Sequence, residues 1–297
     1  MATIAITGAT GLIGGALVAR LGALGHTVRR LTRTPRAAGD VGWDPAAGRL
    51  DPAALDGVDG VVNLAGRSIA DRWTDATKAD ILRSRVQGTR LVAESMVRVA
   101  RPPRVLVSAS AVGYYGERGD EILDESSAPG EGFLADVCRA WEAATAPAEE
   151  GGVRVVRTRF GLVLSEHGGL MQRLLLPFRL GLGGTLDDGR QWMSYVSLDD
   201  VVGAIDFALA TDTVRGPVNV VAPTPARNAE FTAALARALH RPAFLQVPRT
   251  ALRLLMGARQ ADETALVSQR AIPRALLDAG YVHQHPTLDD ALRAALR

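Results

Sequence analysis

Short apolar runs alternate with segments of helical periodicity through the first two thirds of the chain. This alternation is typical of βαβ units, in which a parallel sheet carries helices on both faces. The apolar runs predict strands over residues 4–7, 27–32, 60–65, 104–109, 153–159 and 218–221. The periodic segments predict helices over residues 12–24, 75–100, 134–150 and 169–180. The fold class that follows is α/β, a doubly wound parallel sheet of about seven strands.

The last quarter of the chain follows a different pattern, because helical periodicity replaces the alternation after Pro223. Helices are predicted over residues 228–240, 248–256 and 287–296, the first with Asn228 as its N-cap. No linker-like stretch separates the two patterns. We therefore predict one domain over residues 1–222 and a small, mostly helical cap over residues 223–297 that packs closely beside it.

Composition and charge exclude several classes of protein. The chain has 297 residues, 47% hydrophobic and 22% charged, as globular proteins do. No apolar stretch reaches membrane-spanning length, and the N-terminus enters a strand without a leader or cleavage site, so we expect a cytoplasmic protein. The net charge of +2 arises from interspersed charges, which argues against nucleic acid as a partner. Cys138 is the only cysteine and the histidines lack metal spacing, so no disulfide or metal site is expected.

A glycine-rich turn follows the first predicted strand and opens the first predicted helix. Gly8, Gly11 and Gly14 have G-x-x-G-x-x-G spacing, which permits a tight turn and a close approach of the backbone to a pyrophosphate. The helix N-terminus adds free N–H groups and the positive end of its dipole. The turn therefore predicts dinucleotide binding by Gly8, Thr10, Gly11, Leu12, Ile13 and Gly14.

The end of the second strand distinguishes between the two nicotinamide dinucleotides. NAD-specific proteins carry an acidic residue there, which binds the ribose 2′-hydroxyl. This chain has Arg33 after Thr32, and no acidic residue follows until Asp40. A guanidinium makes paired, charge-assisted hydrogen bonds to a phosphate. Arg33 therefore predicts NADP(H).

These residues, with two further motifs, resemble the extended short-chain dehydrogenase/reductase family. The further motifs are Asn-Leu-Ala-Gly at residues 63–66 and Ser-Ala-Ser-Ala at residues 108–111. More narrowly, residues 108–116 (SASAVGYYG), residues 175–184 (LLPFRLGLGG) and residues 228–231 resemble the atypical subgroup called epimerase family proteins. The resemblance implies a Rossmann domain that binds NADP(H) over residues 1–222, and a cap on the substrate side.

The resemblance also implies cofactor-binding residues beyond the glycine turn: Thr32, Arg33, Leu64, Ala65, Gly66, Asp80, Arg85 and Val163. Thr32 and Arg33 face the adenosine end, and Leu64 and Ala65 line the adenine and ribose channel. Val163 approaches the nicotinamide. Arg85 stands where extended relatives usually carry asparagine, and Asp80 is placed to orient it.

The catalytic pair of that family is missing. Active members use Tyr-x-x-x-Lys, because a phenol with a pKa near 10 needs a neighbouring cation to act as a base near neutral pH. The residues four positions after the four tyrosines are arginine, glycine, aspartate and histidine. Alignment on Glu142 places Leu134 at the tyrosine and Cys138 at the lysine. Cys138 is then either a core residue, which we favour, or a nucleophile, and Arg139 is an alternative contact for the ribose.

Other residues can replace the pair. Ser110 occupies the position of the family's hydroxyl, and Tyr114 and Tyr115 follow in a loop above the carboxyl edge of the sheet. Either tyrosine could face the nicotinamide, or the two could form a packed aromatic pair. Four residues match the part of the fold that usually contacts substrate: Gln191, Trp192, Ser194 and Tyr195.

Two functions remain. The leading interpretation is an NADP(H)-dependent oxidoreductase or epimerase-like enzyme, a monomer or homodimer, that acts on an unidentified small molecule with Ser110 and a loop tyrosine. The alternative is a sensor or scaffold that holds NADP(H) without turnover and responds to redox state, which the loss of tyrosine and lysine favours.

Overall fold

The computed structural model describes residues 1–297 and divides into two compact units. The first unit comprises Met1–Ser110, Val137–Thr158 and Ala204–Val218. The second comprises Ala111–Asp136, Arg159–Gly203 and Asn219–Arg297. The predicted boundary at residue 222 lies inside the second unit, because residues 111–136 and 159–203 pack with the C-terminal segment.

The chain forms sixteen strands: β1 Thr3–Thr7, β2 Thr27–Thr32, β3 Val41–Asp44, β4 Arg49–Leu50, β5 Gly60–Asn63, β6 Val105–Ala111, β7 Ile122–Leu123, β8 Arg154–Phe160, β9 Leu162–Leu164, β10 Gly184–Leu186, β11 Trp192–Met193, β12 Tyr195–Ser197, β13 Gly216–Val220, β14 Ala226–Arg227, β15 Leu245–Val247 and β16 Arg270–Ala271. It also forms eleven helices: α1 Leu12–Ala23, α2 Asp75–Met96, α3 Phe133–Ala143, α4 Ala146–Glu150, α5 Gly169–Arg179, α6 Leu198–Ala210, α7 Asn228–Leu239, α8 Arg249–Met256, α9 Ala258–Thr264, α10 Arg274–Asp278 and α11 Leu288–Ala295.

The central sheet has the order β13-β8-β6-β5-β1-β2-β3-β4. The strand order reverses at β1, which pairs in parallel with β2 on one side and with β5 on the other. This confirms the doubly wound α/β fold. The sheet has eight strands because β3 pairs with β2 and then turns back into the antiparallel edge strand β4, a short hairpin that the sequence pattern did not reveal.

The cores explain why the main strands were readable from the sequence. Ile4, Ile6 and Val62 are 4% exposed or less, as expected where helices cover both faces of a parallel sheet. In the first unit, α2 packs its buried Val92 and Met96 into the same apolar cluster as the central strands. The second unit has its own core, where α5, α7 and α11 pack together.

Three predicted helices end or begin elsewhere than expected. The helix predicted over residues 134–150 is two helices, α3 and α4, and Pro147 in the first turn of α4 cannot continue the helix before it. The helix α2 ends at Met96, earlier than residue 100. The N-cap of α7 is Arg227, whose backbone N–H donates to Glu230 (2.7 Å).

Asn228 is therefore the first residue of α7 and not its N-cap. Its side-chain oxygen, which would have to accept a backbone N–H of α7 in order to cap the helix, accepts the N–H of Leu186 instead (2.8 Å). Among the helices, none combines the length and the apolar character needed to cross a bilayer.

Candidate functional site

The glycine turn is closed to side chains at two positions. Gly8 has φ +69°, and a Cβ atom there would lie 2.9 Å from the carbonyl carbon of Leu64. A Cβ atom on Gly14 would lie 2.1 Å from the carbonyl oxygen of Gly8. The backbone is therefore closely packed at both positions, Gly8 against Leu64 after β5 and Gly14 against Gly8 after β1. Gly8 has the positive φ of a tight turn, and at both positions the neighbouring backbone leaves no room for a side chain. The close approach to a pyrophosphate stays a prediction.

The N-terminus of α1 is open to an anion. Leu12 is the first helical residue, Gly11 is the N-cap without a capping side chain, and the first turn contains no acidic residue. Thr10 and Gly11 are exposed, and Leu12 and Ile13 are half-buried. The first backbone N–H groups of a helix have no partner within it, so they are available to a pyrophosphate.

A buried hydrogen-bond network joins the ends of the central strands. The hydroxyl of Thr7 accepts from the backbone N–H groups of Leu64 (3.1 Å) and Ala65 (3.2 Å) and donates to Asn63 (2.7 Å). The amide of Asn63 donates to Thr89 (2.8 Å) and Ser108 (3.3 Å). This network fixes the backbone of residues 64–65, the predicted adenine and ribose channel, although neither side chain of that pair takes part.

Arg33 is exposed, and its guanidinium makes no hydrogen bond or ion pair within the protein. The neighbouring Arg30 differs, since it pairs with Asp40 (2.9 Å). Asp40 is also held by the backbone N–H groups of Arg36 and Ala37, which lower the pKa of its carboxyl. Asp40, the first acidic residue after Arg33, thus has its carboxylate oxygens hydrogen-bonded to other residues. Arg33 itself is left free to bind a phosphate.

Arg85 is held by backbone carbonyls and not by Asp80. Its guanidinium donates to the carbonyls of Arg67 (2.9 Å) and Ile81 (3.2 Å) and lies 4.9 Å from the ring centre of Trp141. Burial lowers its pKa. A Cβ atom on Gly66 would come within 3.2 Å of this guanidinium, so glycine at residue 66 makes room for Arg85.

The predicted role of Asp80 is corrected accordingly. Its carboxylate pairs with Arg67, which is closer, and with Arg83 (3.5 Å). Arg67 in turn offers its carbonyl to Arg85. Asp80 therefore acts on Arg85 only through Arg67, a residue that the sequence analysis did not identify because it lies in a loop without a motif.

The helix α3 carries the positions of the lost pair. Leu134, Cys138 and Glu142 are four residues apart and share one face of the helix. Cys138 is 3% exposed, in agreement with a core residue. Glu142 accepts a hydrogen bond from the hydroxyl of Ser110 (2.7 Å). Ser110 is thus coupled to a carboxylate, a partner that the sequence analysis used only for alignment.

The two loop tyrosines have different surroundings. The hydroxyl of Tyr115 is buried, donates to Asn219 (2.7 Å) and accepts from Arg159 (3.0 Å). Burial raises its pKa to about 12. Tyr114 is half-buried, its hydroxyl makes no hydrogen bond within the protein, and the Arg159 guanidinium lies 3.5 Å from its ring centre.

The loop tyrosines thus form the aromatic pair that was one of the two expectations, edge to face at 5.4 Å. A phenol whose pKa is raised by burial stays protonated near neutral pH and is not available as a base there. We therefore expect a structural role for Tyr115, and Tyr114 is the remaining candidate. Arg159 had no sequence signal, because it is one arginine among many at the end of a strand.

Val163, the predicted nicotinamide contact, lies in β9 of the second unit, opposite Val196 of β12. It is half-buried. Its approach to the nicotinamide stays a prediction.

The second unit contains a cavity of about 620 Å³. Its wall includes Gln191 and Leu134, together with residues near 117, 188 and 268. Of the other predicted substrate contacts, Trp192 donates to Asp120 (2.7 Å) in the wall, and Ser194 donates to the carbonyl of Gln269 (2.8 Å). Tyr195 is buried, which raises its pKa.

Residues 4–222 match the family described as NAD dependent epimerase/dehydratase, and residues 247–295 match a domain of unknown function, DUF1731. An epimerase family protein of Mycobacterium bovis is 46% identical over 293 residues, which cover 98% of this chain and 96% of that protein. The human epimerase family protein SDR39U1 is 36% identical over 294 residues, with 98% of each chain covered.

Two solved structures are also similar. The human epimerase family protein SDR39U1 with NADPH has a TM-score of 0.91 and 35% identity, with 99% of this chain and 98% of that chain covered. A nucleoside-diphosphate sugar epimerase from Corynebacterium glutamicum has a TM-score of 0.83 and 37% identity, with 99% of this chain and 58% of that chain covered. These likenesses confirm the predicted resemblance, and the chain belongs to the NAD dependent epimerase/dehydratase family, among its epimerase family proteins.

Proposed function

We propose that this protein binds NADP(H) on its first unit and is an oxidoreductase or epimerase-like enzyme for a small molecule. The observation that carries the cofactor choice is the unpaired, exposed guanidinium of Arg33 at the end of β2. The human relative was solved with NADPH, which supports the same choice. The cofactor, when bound, supplies hydride transfer.

The residues present fit such a dinucleotide. The cradle between Gly8 and Gly14 excludes side chains, so the backbone can approach a pyrophosphate at the N-terminus of α1. Arg33 binds the 2′-phosphate of the adenosine ribose. The backbone at Leu64 and Ala65 is fixed by Thr7, which gives the adenine and ribose a rigid channel.

We propose Ser110 and Tyr114 as the catalytic groups, each for a different reason. Ser110 donates its proton to Glu142, so the pair can hold or pass a proton at the Ser110 oxygen. Tyr114 has a free hydroxyl that can donate to a substrate oxygen, and Arg159 over its ring fixes the orientation of the phenol. Tyr115 is not among these groups, because its buried hydroxyl is hydrogen-bonded to Asn219 and Arg159.

Cofactor binding is tested by isothermal titration of NADPH and NADH into the wild type and Arg33→Gln. We expect NADPH affinity to fall by roughly 10- to 100-fold, because a charged hydrogen bond is lost, while NADH affinity stays the same. Arg98→Gln is the control, since Arg98 lies just after the end of α2, is exposed and pairs with Glu94. Equal losses for both dinucleotides would remove Arg33 from the 2′-phosphate.

Turnover is tested by following NADPH oxidation against a panel of carbonyl compounds and sugar nucleotides. An oxidoreductase gives steady NADPH oxidation with one substrate, whereas an epimerase gives an isomeric product without net oxidation, so products are analysed as well. Ser110→Ala and Tyr114→Phe should each reduce whichever turnover is found. Absence of turnover across the panel, with NADPH binding intact, would contradict catalysis.

A sensor or scaffold is the second candidate. The observation that favours it is that two other residues occupy the positions of the lost tyrosine and lysine. These residues are the apolar Leu134 and the buried Cys138. It predicts a partner whose affinity differs between the NADPH-bound and NADP⁺-bound protein, by the reciprocity of linked binding. A partner that binds both forms equally would exclude this function.

Other expectations stay predictions. They concern the cytoplasmic location, the absence of nucleic acid as a partner, and the monomeric or homodimeric state. The Arabidopsis thaliana relative is named chloroplastic, which is said of that protein alone.

A further inference from the structure

The cavity of the second unit has the size of a small-molecule site. Its volume of about 620 Å³ lies within the range of pockets that hold organic ligands. Part of its wall is apolar, from Leu134, Ala135, Leu266 and Val267. The rest is charged or polar, and the sign of that part decides which ligands fit.

Most charges of the wall cancel in pairs. Four carboxylates have an arginine partner at 2.8 to 3.0 Å: Asp120 with Arg227, Asp187 with Arg249, Asp262 with Arg253, and Glu263 with Arg259. These pairs leave little net charge, and a phosphate or carboxylate of a ligand would have to compete with the carboxylate that each guanidinium already binds.

The remaining charges of the wall are mainly negative. Glu117, Glu131 and Asp188 have no cationic partner, and Glu117 accepts only from the backbone N–H groups of Gly119 (3.0 Å) and Ser268 (2.6 Å). Arg190 is the one guanidinium of the wall without an ion pair. Three carboxylates against one guanidinium give the cavity an excess of negative charge.

Two buried amides add hydrogen-bond acceptors. Gln191 and Gln269 are each 8% exposed and belong to the wall. The amide nitrogen of Gln191 donates to the carbonyl of Leu186 (3.1 Å), and that of Gln269 to the carbonyl of Gly116 (3.1 Å). Gln191 uses both of its amide N–H groups, since it also donates to the carbonyl of Ala265 (3.3 Å), whereas Gln269 keeps one N–H. The oxygen of Gln191 is left over and can only accept, so a ligand beside Gln191 must supply the donor.

We infer that this cavity binds a small molecule rich in hydrogen-bond donors, an amine above all, and without a phosphate or carboxylate. The inference rests on the proposed function, since this molecule is the substrate of the same enzyme. A cation is drawn into a cleft lined by uncompensated carboxylates, and an anion is repelled from it. A nucleoside diphosphate would bring negative charge to a wall whose guanidiniums are almost all paired.

The test uses fragment scaffolds that are each present as a primary amine, the corresponding alcohol and the corresponding carboxylate. Binding is measured on the ¹⁵N-labelled full chain, in low salt because exposed charges are screened within about 10 Å at 0.1 M. The reporters are the backbone amides of Gly119, Ser268 and Gln269. We expect the amines to bind at least about tenfold more tightly than the matched carboxylates, with the alcohols between them.

Three variants localise the effect. Glu131→Gln should reduce the preference for amines by about threefold, and Arg190→Gln should increase it, because each removes one uncompensated charge. Asp278→Asn is the matched control, since Asp278 is an exposed acid of the same unit that is not part of the wall. Carboxylates that bind as tightly as amines, or a series with no shift at the reporters, would overturn the inference.

The same measurement with saturating NADPH separates the two proposals. If NADPH binds and the fragments show no charge preference, the substrate class is wrong and the cofactor proposal stands. If NADPH does not bind while amines still shift the reporters, the cofactor proposal fails and the cavity remains an amine site.

Discussion

The end of the central sheet in the first unit and the cavity in the second unit differ in how their polar groups are arranged. At the sheet end, Thr7 and Asn63 are 1% exposed or less and hydrogen-bonded to neighbouring strands, so a rigid surface is left for a ligand. In the cavity, the side chains of Glu131 and Arg190 are exposed and form no ion pair. We therefore expect the first region to bind by shape and backbone, with Arg33 as its one selecting charge, and we propose that the second selects by charge throughout.

This difference has a consequence for mutations. A change at the sheet end disturbs packed neighbours and lowers stability as well as binding, because buried polar groups are left without partners. A change of an exposed charge in the cavity alters selectivity and leaves stability almost untouched.

The largest effect is expected for Gly14→Ala. Its Cβ atom would lie 2.1 Å from the carbonyl oxygen of Gly8, so the turn must move. NADPH affinity should fall roughly 100-fold by calorimetry, and the free energy of unfolding by about 3 kcal/mol in urea. Gly22→Ala is the control in the same helix, because no atom lies within 4 Å of its Cβ position.

Gly22→Ala should leave NADPH affinity unchanged and can raise stability by up to about 1 kcal/mol. In Gly14→Ala, amine fragments should still shift the Ser268 amide. Loss of both binding events at unchanged stability would contradict the separation of the two regions.

Asn63→Ala should have the next largest effect on stability. It leaves the hydroxyls of Thr7 and Thr89 without their buried partner. We expect the free energy of unfolding to fall by about 2 to 3 kcal/mol in urea titrations. Ser126→Ala, an exposed hydroxyl in the second unit, should change it by less than about 0.5 kcal/mol. Equal effects of the two substitutions would mean that the network does not hold the sheet end.

Tyr115→Phe tests the buried polar group of the second unit. Arg159 and Asn219 lose a partner, so stability at neutral pH should fall by about 1 to 2 kcal/mol. Tyr114→Phe should leave stability within about 0.5 kcal/mol, because its hydroxyl has no partner in the protein. A stability loss for Tyr114→Phe as large as for Tyr115→Phe would contradict the assignment.

The two tyrosine variants also differ at high pH. Burial raises the pKa of Tyr115 to about 12 from its ordinary 10.0. Between these values the folded chain keeps a proton that the unfolded chain releases, so stability falls as pH rises, by at most about 1.4 kcal/mol per pH unit. Denaturation from pH 9 to 12 should show this slope in the wild type and a smaller slope in Tyr115→Phe.

Asp80→Asn should have the smallest effect. Its ion pair with Arg67 has 40% exposure on both sides, so stability should fall by less than about 1 kcal/mol. NADPH affinity should change by less than about threefold, because Arg85 keeps its backbone partners. A loss as large as that of Arg33→Gln in the same titration would show that Asp80 contacts the cofactor directly.

The sequence was most informative where the chemistry requires neighbours in the chain. The glycine turn and Arg33 could be identified because the turn, the helix start and the strand end each depend on local backbone or on one residue type. The sequence was less informative for Asp80, since its spacing to Arg85 suggested a contact that Arg67, from a loop, takes instead. Which loop tyrosine is free was also undecided, because Arg159 and Asn219 come from distant strands.

By itself, the sequence determined the doubly wound sheet and the family, together with a prediction of the cofactor, because buried parallel strands and a dinucleotide turn leave local patterns of apolar residues and glycines. Only the tertiary structure decided the character of the cavity. Its wall combines segments near residues 117, 131, 188, 249 and 268, and the charge of each residue matters only after its ion-pair partner is known. Such pairing depends on distances in space, which no local pattern records.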